Sequence, residues 1–330
     1  METFDGLVLV DKPEGLTSHD VVNKVRRLFN TRSVGHAGTL DPMATGLLVL
    51  MVGEATKLSD YILSGDKVYH AEILLGLETD TGDITGQVVK KADAPTRVDQ
   101  SFGLPPAELD SQLVKGVVEK LRGPLLLPVP SFSAVKVAGK KLYEMARHRE
   151  AVPRVERDMN FFLVEFLAWH GDHLEIRLGC EKGGYVRSWA TELGHRLTCG
   201  ATVAKLRREV SAPYSVQDAM TLESLESHKI EKLERGVQCW WSDIKACIPL
   251  HSALPNVPSL AISHRDEKLM RNGSISDALR VQLRVSPRVI GAPYVKIISQ
   301  ETHQLISILQ ARQPAGFSIR RVFKQTSKMT

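Results

Sequence analysis

One histidine, one aspartate, one proline and three glycines fall within Gly35-His36-Ala37-Gly38-Thr39-Leu40-Asp41-Pro42-Met43-Ala44-Thr45-Gly46, between two apolar segments. Gly35, Gly38 and Gly46 let the backbone turn where a side chain would obstruct it. Pro42 pushes Asp41 away from the α region, so the carboxylate rides on extended or turning backbone. Such a loop fixes a carboxylate where a substrate backbone can come close. The same residues also fit a structural use, with Asp41 capping a helix that has Pro42 at its first position. With an ordinary pKa of about 3.9, the carboxylate would be ionised at neutral pH.

The flanking segments supply the elements that must hold this loop. Phe4 to Val10 is apolar and ends in Asp11-Lys12-Pro13-Glu14-Gly15, a short strand and then a turn. Thr17-Ser18 can cap a helix from about His19 to Phe29, with Val21, Val22, Val25, Leu28 and Phe29 on one face. Leu47 to Val52 reads as a buried strand and Ala55 to Leu63 as a helix. Lys67 to Gly76 alternates as a strand and carries Tyr69, a residue type that is most often plain core in such a place. A strand at Gln87 to Val89 follows, then a Pro-, Asp- and Ala-rich surface connection over 92–106, then a helix over 107–121. Phe161 to Trp169 and His173 to Cys180 pair around Gly171-Asp172. In Lys182-Gly183-Gly184-Tyr185-Val186-Arg187-Ser188 the glycines allow close approach. Tyr185 and Arg187, two apart, would face one side of an extended segment. An arginine beside a carboxylate holds it ionised and oriented. Ser188 to Leu197 fits a helix, and Thr202 to Arg208 a strand that includes Leu206. A polar stretch runs from about His228 to Trp240-Trp241. From Leu260 on, short apolar runs alternate with turn residues, the pattern of a small β-rich domain.

At 330 residues and 43% hydrophobic, the chain can bury a large core and a second, smaller one. The division expected is 1–250 and 251–330. No apolar run approaches the length of a membrane span. Met1-Glu2-Thr3-Phe4-Asp5 has neither the basic start nor the apolar centre of a signal peptide, so the cytoplasm is the expected location. Cys180, Cys199, Cys239 and Cys247 form no Cys-x-x-Cys pair and have no histidine at zinc-finger spacing. They read as reduced, mostly buried thiols, without disulfide or metal. The net charge of +5 is unevenly spread: Ser259 to Thr330 holds 12 Lys+Arg against 4 Asp+Glu, while the rest of the chain is slightly acidic. A basic end on a near-neutral body suits a polyanion such as RNA or DNA. From Lys136 to Arg157, seven Lys+Arg face three acids, with Phe132 and Tyr143 close by in sequence. Basic side chains beside aromatics also suit a nucleic-acid surface.

The Asp41 loop resembles the catalytic loop of the TruB-type tRNA pseudouridine synthases, Gly-His-x-Gly-x-Leu-Asp-Pro-x-Ala-x-Gly, at every fixed position. The resemblance continues through the Asp-Lys-Pro-x-Gly turn, Lys67-Val68-Tyr69, Thr79 to Asp83, Lys182 to Ser188 and Leu206-Arg207-Arg208. Ser131-Phe132 stands where family members usually carry Met-Tyr, and Glu192-Leu193-Gly194 where they carry Asp-Leu-Gly. The resemblance implies an α+β pseudouridine synthase fold, a mixed, mostly antiparallel sheet flanked by helices. It implies an RNA-clasping insertion at about 121–157. Arg271-Asn272-Gly273 and Arg320-Arg321-Val322 are similar to parts of a PUA-like RNA-binding domain. Asp41 would then be the nucleophile and Arg187 its partner. Tyr69 would lie against the target base and take part in proton transfer. His36 would fill the space left by a flipped base, Leu206 would pack beneath that base, Tyr185 would help bind it, and Lys12 would shape the site. The implied substrate is uridine 55 in the T arm of tRNA, handled by a stand-alone enzyme with no cofactor, metal, membrane or obligatory protein partner. A guide-RNA-dependent enzyme of the Cbf5/dyskerin branch and a non-catalytic RNA-binding or tRNA-folding protein are the alternatives.

Overall fold

The computed structural model describes residues 3–92, 111–148, 150–312 and 316–324. Residues 93–110, where the surface connection and the start of the next helix are expected, lie outside them.

Among the described residues, nine strands form the main sheet. Its path runs Leu163–His170, His173–Cys180, Lys67–Leu75, Ala201–Ser211, Thr45–Val52, Gly6–Lys12 and Cys247–Pro249, with Val34–His36 and Tyr214–Ser215 paired off it. Every junction on the path is antiparallel except one. Ala201–Ser211 meets Thr45–Val52 in parallel, through Arg207 opposite Thr45 and Arg208 opposite Gly46. The two halves of the sheet join at that short seam, and the Asp41 loop enters it.

Strand composition follows position in the sheet. Thr45–Val52 and Gly6–Lys12 are buried almost throughout and read as continuous apolar runs. Lys67–Leu75 and His173–Cys180 alternate instead. Tyr69 and Ala71 face the core with Ile176, Leu178 and Leu206, whereas His70, Glu72, Glu175, Arg177, Lys205 and Arg207 face out. The outer row is laced by Glu72 with Lys205 (2.8 Å) and His173 (2.6 Å), and by Arg177 with Glu209 (2.7 Å). Trp189, on the helix Val186–Arg196, is fully buried and donates from Nε1 to the Leu121 carbonyl at 3.1 Å. The helix Ser18–Leu28 is capped by Thr17, as the sequence predicts; the structure adds a capping box through Asp20, and the helix buries Val21, Val22, Val25 and Leu28. The mostly antiparallel sheet with flanking helices is the architecture expected.

Several local expectations change. The helix expected over 55–63 is a 3-10 segment, Gly53–Leu58, followed by a short α-helix, Ser59–Leu63. The polar stretch near His228 lies in a helix, Leu222–Glu234, which buries only Leu222 and Leu225 and so leaves little apolar periodicity to read. In the C-terminal part, four strands (Ser259–Ile262, Tyr294–Ser299, Leu305–Arg312 and Gly316–Val322) line up in chain order. Two helices, His264–Arg271 and Asp277–Val285, interrupt the β pattern, each capped by a serine, Ser263 and Ser276. In the insertion, Gly123–Pro128 pairs with Glu156–Phe161 and frames a small hairpin and the helix Leu142–Arg147.

The C-terminal sheet is stitched to the body. Lys57 donates to the Val322 carbonyl at 3.0 Å, and the Lys324 backbone donates to Glu54 at 2.7 Å. Phe323, Leu305 and Ile308 pack within the main core.

Candidate active site

The loop after Val34–His36 makes no helix. The Asp41 carbonyl accepts from the Ala44 backbone at 3.0 Å in a turn, and the chain passes straight into Thr45–Val52. The capping alternative therefore falls away, and the Asp41 side chain points at Arg187. Arg187 Nε lies 3.0 Å from one carboxylate oxygen, and a terminal nitrogen donates to the other at 3.2 Å. Side-by-side contacts of this kind fix a carboxylate's direction as well as its charge. Arg187 is 7% exposed against 28% for Asp41, so the arginine forms the floor and the carboxylate the reachable edge.

Arg187 also donates to the carbonyls of Thr81 at 2.9 Å and Phe132 at 3.1 Å, and lies 3.8 Å from the buried Asp83. It thus ties the Asp41 loop to the Thr79–Asp83 turn and to the base of the insertion. Burial pushes the Asp41 carboxyl above its ordinary value, Arg187 opposes that most strongly, and Asp83 adds to the rise. The ordinary carboxylate expected from sequence is thus displaced upward by desolvation.

Three groups from other segments hold the loop backbone. Lys12, fully buried, donates from Nζ to the carbonyls of Pro13 (2.9 Å), Leu16 (2.7 Å) and Pro42 (3.2 Å). Burial pushes its ammonium down to about 8, with Asp41 opposing. Ser18 Oγ accepts from the Leu40 backbone at 2.9 Å and contacts the Leu40 carbonyl at 3.1 Å. Arg208, 1% exposed, donates to Leu47 (2.7 Å), Thr39 (3.3 Å) and Gly38 (3.1 Å). Gly46 is required at the sheet seam: its φ is +99°, and a Cβ there would lie 2.3 Å from the Arg208 carbonyl oxygen.

Tyr69 stands opposite Arg208 across the strand pair, and Ala71 stands opposite Leu206. Burial pushes the Tyr69 phenol up to about 12, while the nearby Arg208 charge works against it. Leu206, 7% exposed, lies on the same face. His36 ends its short strand half-buried, and burial with the nearby Arg208 charge pushes its imidazole down, towards the neutral form.

The structure thus gathers Asp41, Arg187, Lys12, Tyr69, Leu206 and His36 around the seam and the loop that leaves it. Tyr185 differs. The helix begins at Val186, so Tyr185 is its N-cap and Arg187 lies in its first turn. The extended spacing that would put both on one side does not apply, and Tyr185 packs partly buried against the core. Arg208 and Asp83 are the residues that sequence reading missed. The signals for them, the second arginine of Leu206-Arg207-Arg208 and an acid within Thr79 to Asp83, carry no hint of burial.

The architecture is that of the pseudouridine synthases. A solved Cbf5-Nop10-Gar1 complex contains a chain that superposes with a TM-score of 0.68 at 23% identity, over 97% of this chain and 85% of that one. An H/ACA RNP bound to a substrate RNA containing 2'-deoxyuridine gives 0.66 at 21%. In sequence, residues 26–186 match the TruB family pseudouridylate synthase N-terminal domain, and 187–244 match the tRNA pseudouridylate synthase B C-terminal domain. The chain is 40% identical to tRNA pseudouridine synthase B of Bdellovibrio bacteriovorus over 321 residues, 97% of each chain. It is 37% identical to that of Aromatoleum aromaticum over 289 residues, 88% of this chain and 82% of the relative. The chain belongs to the TruB family of pseudouridine synthases.

Proposed function

We propose that the chain converts uridine to pseudouridine at position 55 in the T arm of tRNA, as a stand-alone enzyme, with Asp41 as nucleophile. The observation that carries this reading is the partly exposed Asp41 carboxylate clamped by a buried Arg187. The reaction breaks the N1–C1′ bond, turns the base and joins C5 to C1′. A proton leaves C5 and one returns at N1, so the formula is unchanged and no redox step is required. Asp41 adds to C1′ of the ribose or to C6 of the base, and is released at the end.

A uridine in a folded arm is stacked and must swing out, at a cost of roughly a few kcal/mol. A neutral His36 suits the vacated stack, because it carries no charge to desolvate. Tyr69 and Leu206 supply the platform for the flipped base. With its phenol near 12, Tyr69 keeps its proton at neutral pH and acts first as a donor. Residues 1–250 do the chemistry. The insertion and residues 251–330, PUA-like in role, hold phosphates. The tRNA substrate places the reaction in the cytoplasm. Identity of 40% along 97% of a tRNA pseudouridine synthase B favours the stand-alone reading over the guide-dependent one, whose Cbf5 examples share the fold at 21–23%.

The test is tritium release from unmodified tRNA labelled at uridine C5, with no guide RNA added. The wild-type chain releases label, and Asp41→Asn binds the tRNA but releases none. No release by the wild type would overturn the assignment, and release by Asp41→Asn would remove the nucleophile.

A further inference from the structure

Away from Asp41, two phenol rings and two arginines meet where the C-terminal sheet rests on the body. Tyr61 comes from the helix Ser59–Leu63 and Tyr294 from the strand Tyr294–Ser299; their rings meet edge to face, 5.0 Å between centroids. Arg320 and Arg321 come from the last strand, Gly316–Val322. With Asp60 and Ser64 they line a notch of about 270 Å³. Arg321 is engaged, 3.3 Å from Asp60 and donating from Nε to the Lys57 carbonyl at 3.4 Å. Arg320 is exposed and has no ion pair among the described residues. Both rings are half-buried, and neither phenol hydroxyl has a hydrogen-bond partner among the described residues. Ser64 Oγ donates to the Tyr61 carbonyl at 2.7 Å, which leaves its lone pairs to accept.

The Asp60–Arg321 pair cancels, so Arg320 leaves the notch with one net positive charge beside aromatic surface. A phosphodiester carries one negative charge, and its ribose and base supply the flat surface and hydroxyl that the rings and Ser64 match. The surrounding segment from Ser259 on is strongly basic, which favours a polyanion over a neutral ligand. We propose that this notch is a second anchor for the substrate RNA, with one phosphodiester on Arg320 and the adjoining nucleoside against Tyr61 and Tyr294. The proposal rests on the assigned RNA substrate. The anchor is tied to the chemistry through Lys67. Its Nζ donates to the Leu63 carbonyl at 2.9 Å and to that of Gly65, just after the Tyr61 helix, and Lys67 opens the strand that bears Tyr69. The helix that carries Tyr61 is therefore tied to the strand that carries Tyr69.

The test measures binding of unmodified tRNA by the full chain across 50–200 mM salt, a range in which phosphate contacts are read as a slope. Arg320→Ala is expected to weaken binding about three- to tenfold and to lower the salt slope by about one. Tyr294→Ala is expected to weaken binding with the slope unchanged, while Tyr294→Phe, which keeps the ring, binds as wild type. Thermal unfolding of each variant checks the fold, and Arg320, exposed and without an ion pair among the described residues, leaves it intact. Wild-type affinity and slope in Arg320→Ala would overturn the anchor, as would lost affinity with an unchanged slope. Equal weakening by Tyr294→Phe and Tyr294→Ala would overturn the stacking contact. Tritium release is scored separately, so failure of the assigned reaction stays distinguishable from failure of the anchor.

Discussion

Asp41 and Arg187 share a site that neither would tolerate alone. Burial lifts the carboxyl, and Arg187 is the strongest influence against that lift. Arg187→Gln should therefore raise the Asp41 pKa further and move the acid limb of kcat/KM to higher pH. An acid limb that stays in place would remove Arg187 from control of the Asp41 carboxyl. The same change strips a donor from Thr81 and Phe132 and leaves Asp41 and Asp83 uncompensated, so unfolding free energy should fall by about 3–5 kcal/mol. Lys12 gives a second pH signature. Its folded pKa of about 8 lies below the ordinary 10.5. Between those values the unfolded chain binds a proton that the folded chain lacks, so stability rises with pH. Below pH 8 both forms are protonated and the cost of burying the charge is fully present. The unfolding free energy of the wild type relative to Lys12→Met should accordingly increase from pH 8 to about pH 10. A flat difference would show that the ammonium titrates normally.

Between elements, the parallel junction of Ala201–Ser211 with Thr45–Val52 decides where the loop can go. Arg208 crosses it to fasten carbonyls on both sides of Asp41, and Gly46 lets the strands touch. In Gly46→Ala, a Cβ 2.3 Å from the Arg208 carbonyl oxygen would have to push the strands apart, on backbone with φ of +99°. The loss should exceed about 1 kcal/mol in denaturant unfolding, since both the space and the conformation are wrong. Turnover should fall with it, because the strands that separate carry the loop. A stable variant with wild-type turnover would show that the junction does not set the loop.

Over the whole molecule, charge and packing divide the labour. The terminal segment from Ser259 carries all of the chain's net positive charge, yet it also contributes Phe323 to the main core. Phe323 is 1% exposed, so Phe323→Ala should cost about 3–5 kcal/mol and loosen the C-terminal sheet from the body. Unfolding in separate steps by calorimetry would reveal that loosening; a small, single-step loss would show the seam to be weak. The sequence by itself determined the family, the Asp41 loop and the amphipathic elements around it. Those features are local: a glycine–proline pattern, a capping Thr17-Ser18 and period-two strands are written in neighbouring residues. It pointed to Arg187 as the partner of Asp41 by resemblance. The reason Arg187 reaches Asp41, a helix that begins at Val186 rather than an extended Tyr185–Arg187 segment, appears only in three dimensions. Arg208, Asp83 and the Tyr61–Tyr294 notch were decided by tertiary structure alone. Each gains its meaning from burial and from partners distant in the chain, and desolvation has no signature in the order of the residues.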